Sequence, residues 1–144
     1  RSDGRRSIYV AARRNFLPMM MLAFDYPTPF STVGRRNISN VPGQMLFLMN
    51  DPFVHEQAAV WAKRVREQGA GLSDDEKIRR LYWSAFSRAP SEEELKSCAA
   101  MLGEASKAAG SEPAPAAGAA KDRIDPWAEL CHALIGVKEF MFIR

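Results

Sequence analysis

The chain has 144 residues, of which 47% are hydrophobic and 26% charged, with a formal net charge of +3. These values are typical of a globular domain that can bury a core, and so small a charge argues against nucleic acid as a partner. No apolar run approaches the roughly 20 residues of a membrane-spanning helix, so the sequence predicts no membrane span.

The first third of the chain predicts short helices around a proline-containing loop. Residues 1–16 carry apolar side chains at near-helical spacing and predict a short helix, with an extended edge as the alternative. Residues 18–24 are apolar all round, so we expect that helix to be buried. Residues 25–39 form a loop, because Pro27 and Pro29 block helix continuation.

The next segment predicts a helix hairpin. Residues 42–49 leave almost no polar face, so we expect a central buried helix around which the other elements pack. Asp51 caps the following helix and Pro52 starts it, whereas Gly69 and Gly71 end it. This second helix has an apolar seam at spacings of four, three and four, formed by Val54, Ala58, Trp61 and Val65.

Two capping boxes predict the starts of the next two helices. Ser73 with Glu76, and Ser91 with Glu94, are each a serine followed three residues later by a glutamate. Each helix then carries an apolar stripe on one face, which is Ile78, Leu81, Tyr82 and Ala85 in the first and Leu95, Cys98, Ala99 and Leu102 in the second.

The last part of the chain predicts an insertion and a final helix. Residues 107–122 are mostly alanine, proline and glycine, which is typical of a flexible loop. Asp125 and Pro126 open the last helix, and Gly136 ends it. Its stripe is Trp127, Leu130, Cys131 and Leu134. The apolar tail at 140–143 needs cover from this domain or from a neighbour.

No segment shows the alternation of a half-buried strand. The sequence therefore predicts an all-α fold, a compact bundle of about six helices with short connections and one flexible Ala/Pro-rich loop. We expect a single helical domain over residues 1–144. Because the chain begins with arginine rather than methionine, we expect it to be a fragment of a larger protein.

The residues that usually carry catalysis or bind metals are few. Cys98 and Cys131 lie on two predicted stripes, where two buried thiols and a disulfide between packed helices both remain open. His55 begins a zinc-like motif, but the residue four positions later is alanine. His132 is expected at the core or its boundary. The sequence thus predicts no catalytic set, no metal and no cofactor in this domain, and leaves open whether it belongs to an enzyme.

The best binding candidates are Arg35, Arg36 and Asn37, because guanidinium groups hold carboxylate, sulfate or phosphate through paired hydrogen bonds. Asp51 is a further candidate, although helix capping explains it equally well. The structural alternative is that an arginine of this loop pairs with Asp25 or Asp51 and fastens the loop down.

Several blocks of the sequence together resemble one family: FDYP, RRNIS, PGQMLFLMNDPFVHEQA, YWSAFSRAPSEEEL and WAELCHALIGVKEFMFI. The chain is similar to the C-terminal domain of unknown function of the planctomycete cytochrome c domain-containing proteins. That resemblance implies a secreted multidomain protein and an extracellular or periplasmic location, and it implies that haem, where the polypeptide carries it, belongs to an upstream domain. It supplies no catalytic residues.

The function expected from all this is that of an uncharacterised C-terminal helical module, structural or interacting, whose partners are the other domains of the same polypeptide. The alternative is the part of an extracellular enzyme that binds an anion or a sulfated polysaccharide, using Arg35 and Arg36. Acidic polysaccharide is the partner in that case.

Overall fold

The computed structural model describes Tyr9, residues 17–26, Gly34, residues 42–111 and residues 125–141, with the backbone alone for 106–111. Within these ranges the chain forms seven α-helices and no strand, which confirms the predicted all-α class. The helices are α1 (Met19–Ala23), α2 (Pro42–Asn50), α3 (Pro52–Gln68), α4 (Asp74–Phe86), α5 (Glu92–Ser111), α6 (Pro126–Ile135) and α7 (Lys138–Met141).

The chain divides into two compact units, Arg1–Phe53 and Val54–Arg144. The first unit contains α1 and α2. The second contains α4 to α7 and all of α3 except its first two residues. The single domain expected over residues 1–144 stays a prediction.

The core of the second unit is built from one stripe on each of four helices. On α4, α5 and α6 these are the predicted stripes, and on α3 Ala62 is buried most deeply while Trp61 packs at its edge. Complete burial of a large apolar side chain stabilises the fold by about 1.5–3 kcal/mol. The buried cluster is Ala58, Ala62, Val65, Ile78, Leu81, Tyr82, Cys98, Leu102, Leu130, Cys131 and Leu134.

Both predicted capping boxes are present. The Ser73 Oγ accepts the Glu76 backbone N–H at 3.3 Å, and the Ser73 N–H donates to Glu76 Oε2 at 2.9 Å. The Ser91 Oγ accepts the Glu94 N–H at 3.2 Å, and the Ser91 N–H donates to Glu94 Oε2 at 2.7 Å. These bonds satisfy amide groups that a helix leaves without partners at its start, so they determine where α4 and α5 begin.

The start of α6 is also as predicted. Asp125 is its N-cap, and one carboxylate oxygen accepts the Trp127 N–H at 3.2 Å. The same carboxylate pairs with Arg66 near the end of α3, at 2.7 Å between Nη2 and Oδ2. The first turn of α6 is therefore held to α3 by charge as well as by the buried stripe.

The burial expected for 18–24 and 42–49 is not observed. In α1 only Met21 is buried, whereas in α2 Gln44 and Leu48 are buried and Leu46 and Met49 are more than half exposed. The contact between α1 and α2 includes an edge-to-face ring pair, Phe24 and Phe47, with centroids 6.2 Å apart. Because α2 is apolar on almost every side, its contact with α1 covers only part of its apolar surface, and the rest is exposed to solvent.

Two further differences concern the C-terminal part. Helix α5 continues to Ser111 and so includes the first five residues of the loop expected at 107–122, while residues 112–124 lie outside the described ranges. A short helix, α7, follows α6 and includes the first two residues of the apolar tail expected at 140–143, whereas residues 142–143 lie outside the described ranges. In the part of the chain that the structure describes, no helix combines the length and apolar character needed to cross a membrane.

Candidate functional site

Arg35, Arg36 and Asn37 lie outside the described residues, so both their binding role and their pairing with an aspartate stay predictions. Asp51 is half-buried between α2 and α3, where its Oδ1 accepts the backbone N–H of Phe53 at 2.9 Å. This bond gives Asp51 the capping role that the sequence also suggested.

The two cysteines are free thiols, and both are buried in the core of the second unit. Burial is the main cause that raises the pKa of Cys131 to about 12, and the charge of Asp125 raises it further. Burial also raises the pKa of Cys98, whose sulfur lies 3.8 Å from the Tyr82 hydroxyl oxygen. Because the thiolate is the reactive form, neither cysteine has the character of a nucleophile at neutral pH.

The two histidines lie next to each other. His55 on α3 and His132 on α6 have ring centroids 4.1 Å apart and planes inclined by 35°. His132 is half-buried, at the boundary of the core where the sequence placed it. Among the described residues, no three histidine, cysteine, aspartate or glutamate side chains are grouped so that they could hold a metal ion.

A groove lies between α3 and α4 in the described part of the second unit. Its volume is about 330 Å³, within the range of small-molecule sites. We call it the arginine groove, and its lining residues are Trp61, Arg64, Val65, Gln68, Arg80 and Ser84.

Helix geometry explains why these side chains share one groove. On α3, Trp61, Arg64 and Gln68 follow one another at spacings of three and four, which places them on one face. On α4, Arg80 and Ser84 are four residues apart and share a face in the same way. The turn between the two helices is short and includes Gly71 at a φ of +88°, a conformation that favours glycine.

The arginine groove carries positive charge, and no ion pair between described residues involves its two arginines. No carboxylate is among its described lining residues. The Arg80 Nη1 donates to the backbone oxygen of Gln68 at 3.2 Å, which fixes the guanidinium beside the end of α3. The pKa of Glu76 is lowered chiefly by hydrogen bonds from Ser73, with a smaller contribution from the charge of Arg80.

This groove was not predicted from the sequence, and neither Arg64 nor Arg80 is among the binding residues expected there. The spacing of Trp61, Arg64 and Gln68 was a usable signal for one wall, but nothing in the sequence indicated which residues of α4 would form the other wall. Such pairing depends on how the two helices pack, which local spacing does not specify.

The first unit presents exposed apolar strips instead of a groove. On α1, Met19 and Leu22 are 71% and 52% exposed, and on α2, Leu46 and Met49 are 58% and 57% exposed. Within each pair the residues are three apart, so they share one side of their helix. We call these four residues the exposed strips of α1 and α2.

The structure defines the class of the molecule as an all-α protein, in which the second unit has a four-helix core and a basic groove and the first unit has exposed apolar strips. The model of the family PSD1, described as a protein of unknown function (DUF1553), matches residues 1–102 of the 144. The chain belongs to this family, which confirms the resemblance to a domain of unknown function. Neither a curated protein nor a solved structure matches the chain.

Proposed function

We propose that this domain is a non-catalytic interaction module, which binds an apolar surface of another domain of the same polypeptide through the exposed strips of α1 and α2. One observation carries the proposal: four large apolar side chains on two contacting helices are each more than half exposed. Scattered apolar residues are ordinary on protein surfaces, but paired strips on neighbouring helices are typical of interaction sites.

The chemistry of the strips favours a protein surface as their partner. Methionine is flexible and polarizable, so Met19 and Met49 can adapt to an irregular apolar surface. Leu22 and Leu46 supply branched side chains whose removal from water stabilises a complex. Helices α1 and α2 have no acidic residue in the first turn and no basic residue in the last, so charge would contribute little to the contact.

Methionine oxidation tests the proposal directly. Dilute peroxide converts exposed methionines to sulfoxides, and mass spectrometry follows each site. Met19 and Met49 should be oxidised severalfold more slowly in the complete gene product than in the 144-residue chain, because a neighbouring domain covers them. Met21, only 7% exposed in this structure, is the internal reference and should react slowly in both. Equal rates for Met19 in the two proteins would show that no other domain covers the strips.

A matched pair of variants of the complete gene product adds a second test. The double variant Leu46→Gln, Met49→Gln should raise the oxidation rate of Met19 to that of the 144-residue chain. Val60→Gln changes an α3 residue that is 51% exposed and lies outside the strips, so it should leave the rate of Met19 unchanged. If both variants change the rate equally, the strips are not the binding surface.

We also propose, on the family resemblance alone, that the polypeptide is exported and that any haem it carries lies outside these 144 residues. Cell fractionation followed by haem staining tests both points. The complete gene product should be found outside the cytoplasm, and the 144-residue chain should not stain for haem even where the complete product does. A cytoplasmic product, or haem in the 144-residue chain, would contradict the proposal.

A further inference from the structure

We propose that the arginine groove binds an anionic sugar, meaning a pyranose ring that carries a carboxylate, sulfate or phosphate group. The observation is the meeting of two arginines, an indole and polar side chains in one groove of about 330 Å³. This site is in the second unit and uses none of the binding residues expected from the sequence.

The charge in the groove selects an anion. Arg64 and Arg80 both line it, and none of the described lining residues is a carboxylate. The charge of Arg80 contributes to the lowered pKa of Glu76, but no ion pair between described residues uses Arg64 or Arg80. A guanidinium has five N–H donors, and the bond from Arg80 to the Gln68 oxygen uses one of them. The remaining donors can hold an oxyanion through paired, charge-assisted hydrogen bonds. Because that bond already positions Arg80, less side-chain entropy is lost when the anion binds.

The apolar lining of the groove can pack against the face of a sugar ring. Trp61 packs against the core cluster and lies beside Phe140, with ring centroids 6.5 Å apart, so its indole is a well-supported wall. Val65, which is 9% exposed, adds apolar surface next to it. An indole contacts flat, partly apolar groups well, and the C–H face of a pyranose is such a group.

The remaining lining residues match the hydroxyl groups of a sugar. The Ser84 Oγ donates to the backbone oxygen of Leu81 at 3.1 Å, and its lone pairs can still accept a hydrogen bond from a sugar hydroxyl. The Gln68 side chain is exposed and offers both donors and an acceptor. A purely aromatic anion would leave these groups unused, which is why the geometry points to a sugar.

Calorimetry and amide NMR on the 144-residue chain test the proposal with four ligands: glucuronate, glucose 6-sulfate, glucose 6-phosphate and neutral glucose. At least one charged sugar should bind at millimolar concentration or below and shift the amide signals of Trp61, Arg64 and Arg80, while neutral glucose should not. The tightest of the three charged sugars identifies the oxyanion. Failure of all three charged sugars, or equal binding of neutral glucose, would overturn the proposal.

Charge-matched variants distinguish a specific site from general attraction to a basic protein. Arg64→Gln with Arg80→Gln should weaken binding by about tenfold or more, because charge-assisted hydrogen bonds are lost. Arg79→Gln with Lys96→Gln removes the same charge from exposed residues outside the groove, and should change affinity less than about twofold because exposed charges are screened. Circular dichroism checks that both variants fold. Equal weakening in the two variants would contradict the site.

Discussion

The two units of the chain use apolar residues in opposite ways. In α6, Leu130, Cys131 and Leu134 recur on one face and are at most 4% exposed. In α2, the apolar residues run consecutively, and Leu46 and Met49 are more than half exposed. A helix that is rich in apolar residues can be buried, but apolar content alone does not bury it. A helix is buried when its apolar residues form a stripe that packs against the stripes of several neighbouring helices.

The described parts of the two units also differ in their ion pairs. In the second unit, α4 and α6 start at a side-chain cap, and ion pairs join α3 to α6 and Arg88 to α5 and α7. In the first unit, the N-cap of α1 is Pro18, which makes no capping hydrogen bond through its side chain. Among the described residues, the ion pairs thus accompany the packed stripes of the second unit, whereas side-chain caps occur in both units, because Asp51 caps the start of α3 in the first.

The largest loss of stability is expected from Leu134→Ala. Leu134 is 4% exposed in the core cluster, so truncation should lower the free energy of unfolding by about 3 kcal/mol through lost burial and the cavity left behind. Urea unfolding followed by circular dichroism measures the change.

The matched control is Leu46→Ala, the same substitution in α2. Leu46 is 58% exposed, so we expect a change within about 0.5 kcal/mol. If the two variants lose similar stability, Leu46 is as well packed as Leu134, and the contrast between the units fails.

The next largest loss of stability is expected from replacing Arg88, which forms ion pairs with α7 and with the start of α5. Its guanidinium makes a two-pronged contact with Glu94 at 2.8 Å for each bond, and a second with Glu139 at 2.8 and 2.9 Å. Arg88→Met should lower the free energy of unfolding by about 1–2 kcal/mol, a value kept modest because these side chains remain partly open to water. Arg79→Met, at an exposed position without such contacts, should cost under about 0.5 kcal/mol.

The contribution of Arg88 should also depend on pH. The Arg88 hydrogen bond is the main cause that lowers the pKa of Glu94 to about 2, from an ordinary value of 4.5. A lowered pKa stabilises the folded chain above about pH 4.5, and this stability is lost as the pH falls toward 2. The difference between the original chain and Arg88→Met should therefore shrink over that window. A difference that stays constant from pH 6 to pH 2 would contradict the assignment.

These features also mark what could be predicted from the sequence. The capping boxes at Ser73 and Ser91 and the stripes of α4 to α6 were predictable, because caps and stripes depend on residues three and four positions apart. The contact between Arg88 and Glu139 spans 51 positions, and the arginine groove depends on how two helices pack. The exposure of Leu46 was missed because apolar character alone does not show how many neighbours a helix has.

A smaller effect is expected from the cap of α4. Ser73→Ala removes the oxygen that accepts the Glu76 N–H at 3.3 Å, and should lower the free energy of unfolding by about 1 kcal/mol. Ser97→Ala is the control, because the Ser97 hydroxyl only donates back to the Glu93 oxygen within α5, and alanine favours a helix interior. An equal loss in both variants would show that the cap does not stabilise α4.

The smallest effect should be a gain, from Gly103→Ala in α5. A Cβ at Gly103 would meet no atom within 4 Å, so alanine should stabilise the helix by about 0.5–1 kcal/mol through its higher propensity. Gly71 also has open space, but its φ of +88° makes any side chain unfavourable, so Gly71→Ala should destabilise the chain by about 1 kcal/mol. If the free energy of unfolding rises in Gly103→Ala and falls in Gly71→Ala, then backbone conformation, rather than available space, determines how these substitutions change stability. A loss of stability in Gly103→Ala would mean that α5 is not a regular helix at this position.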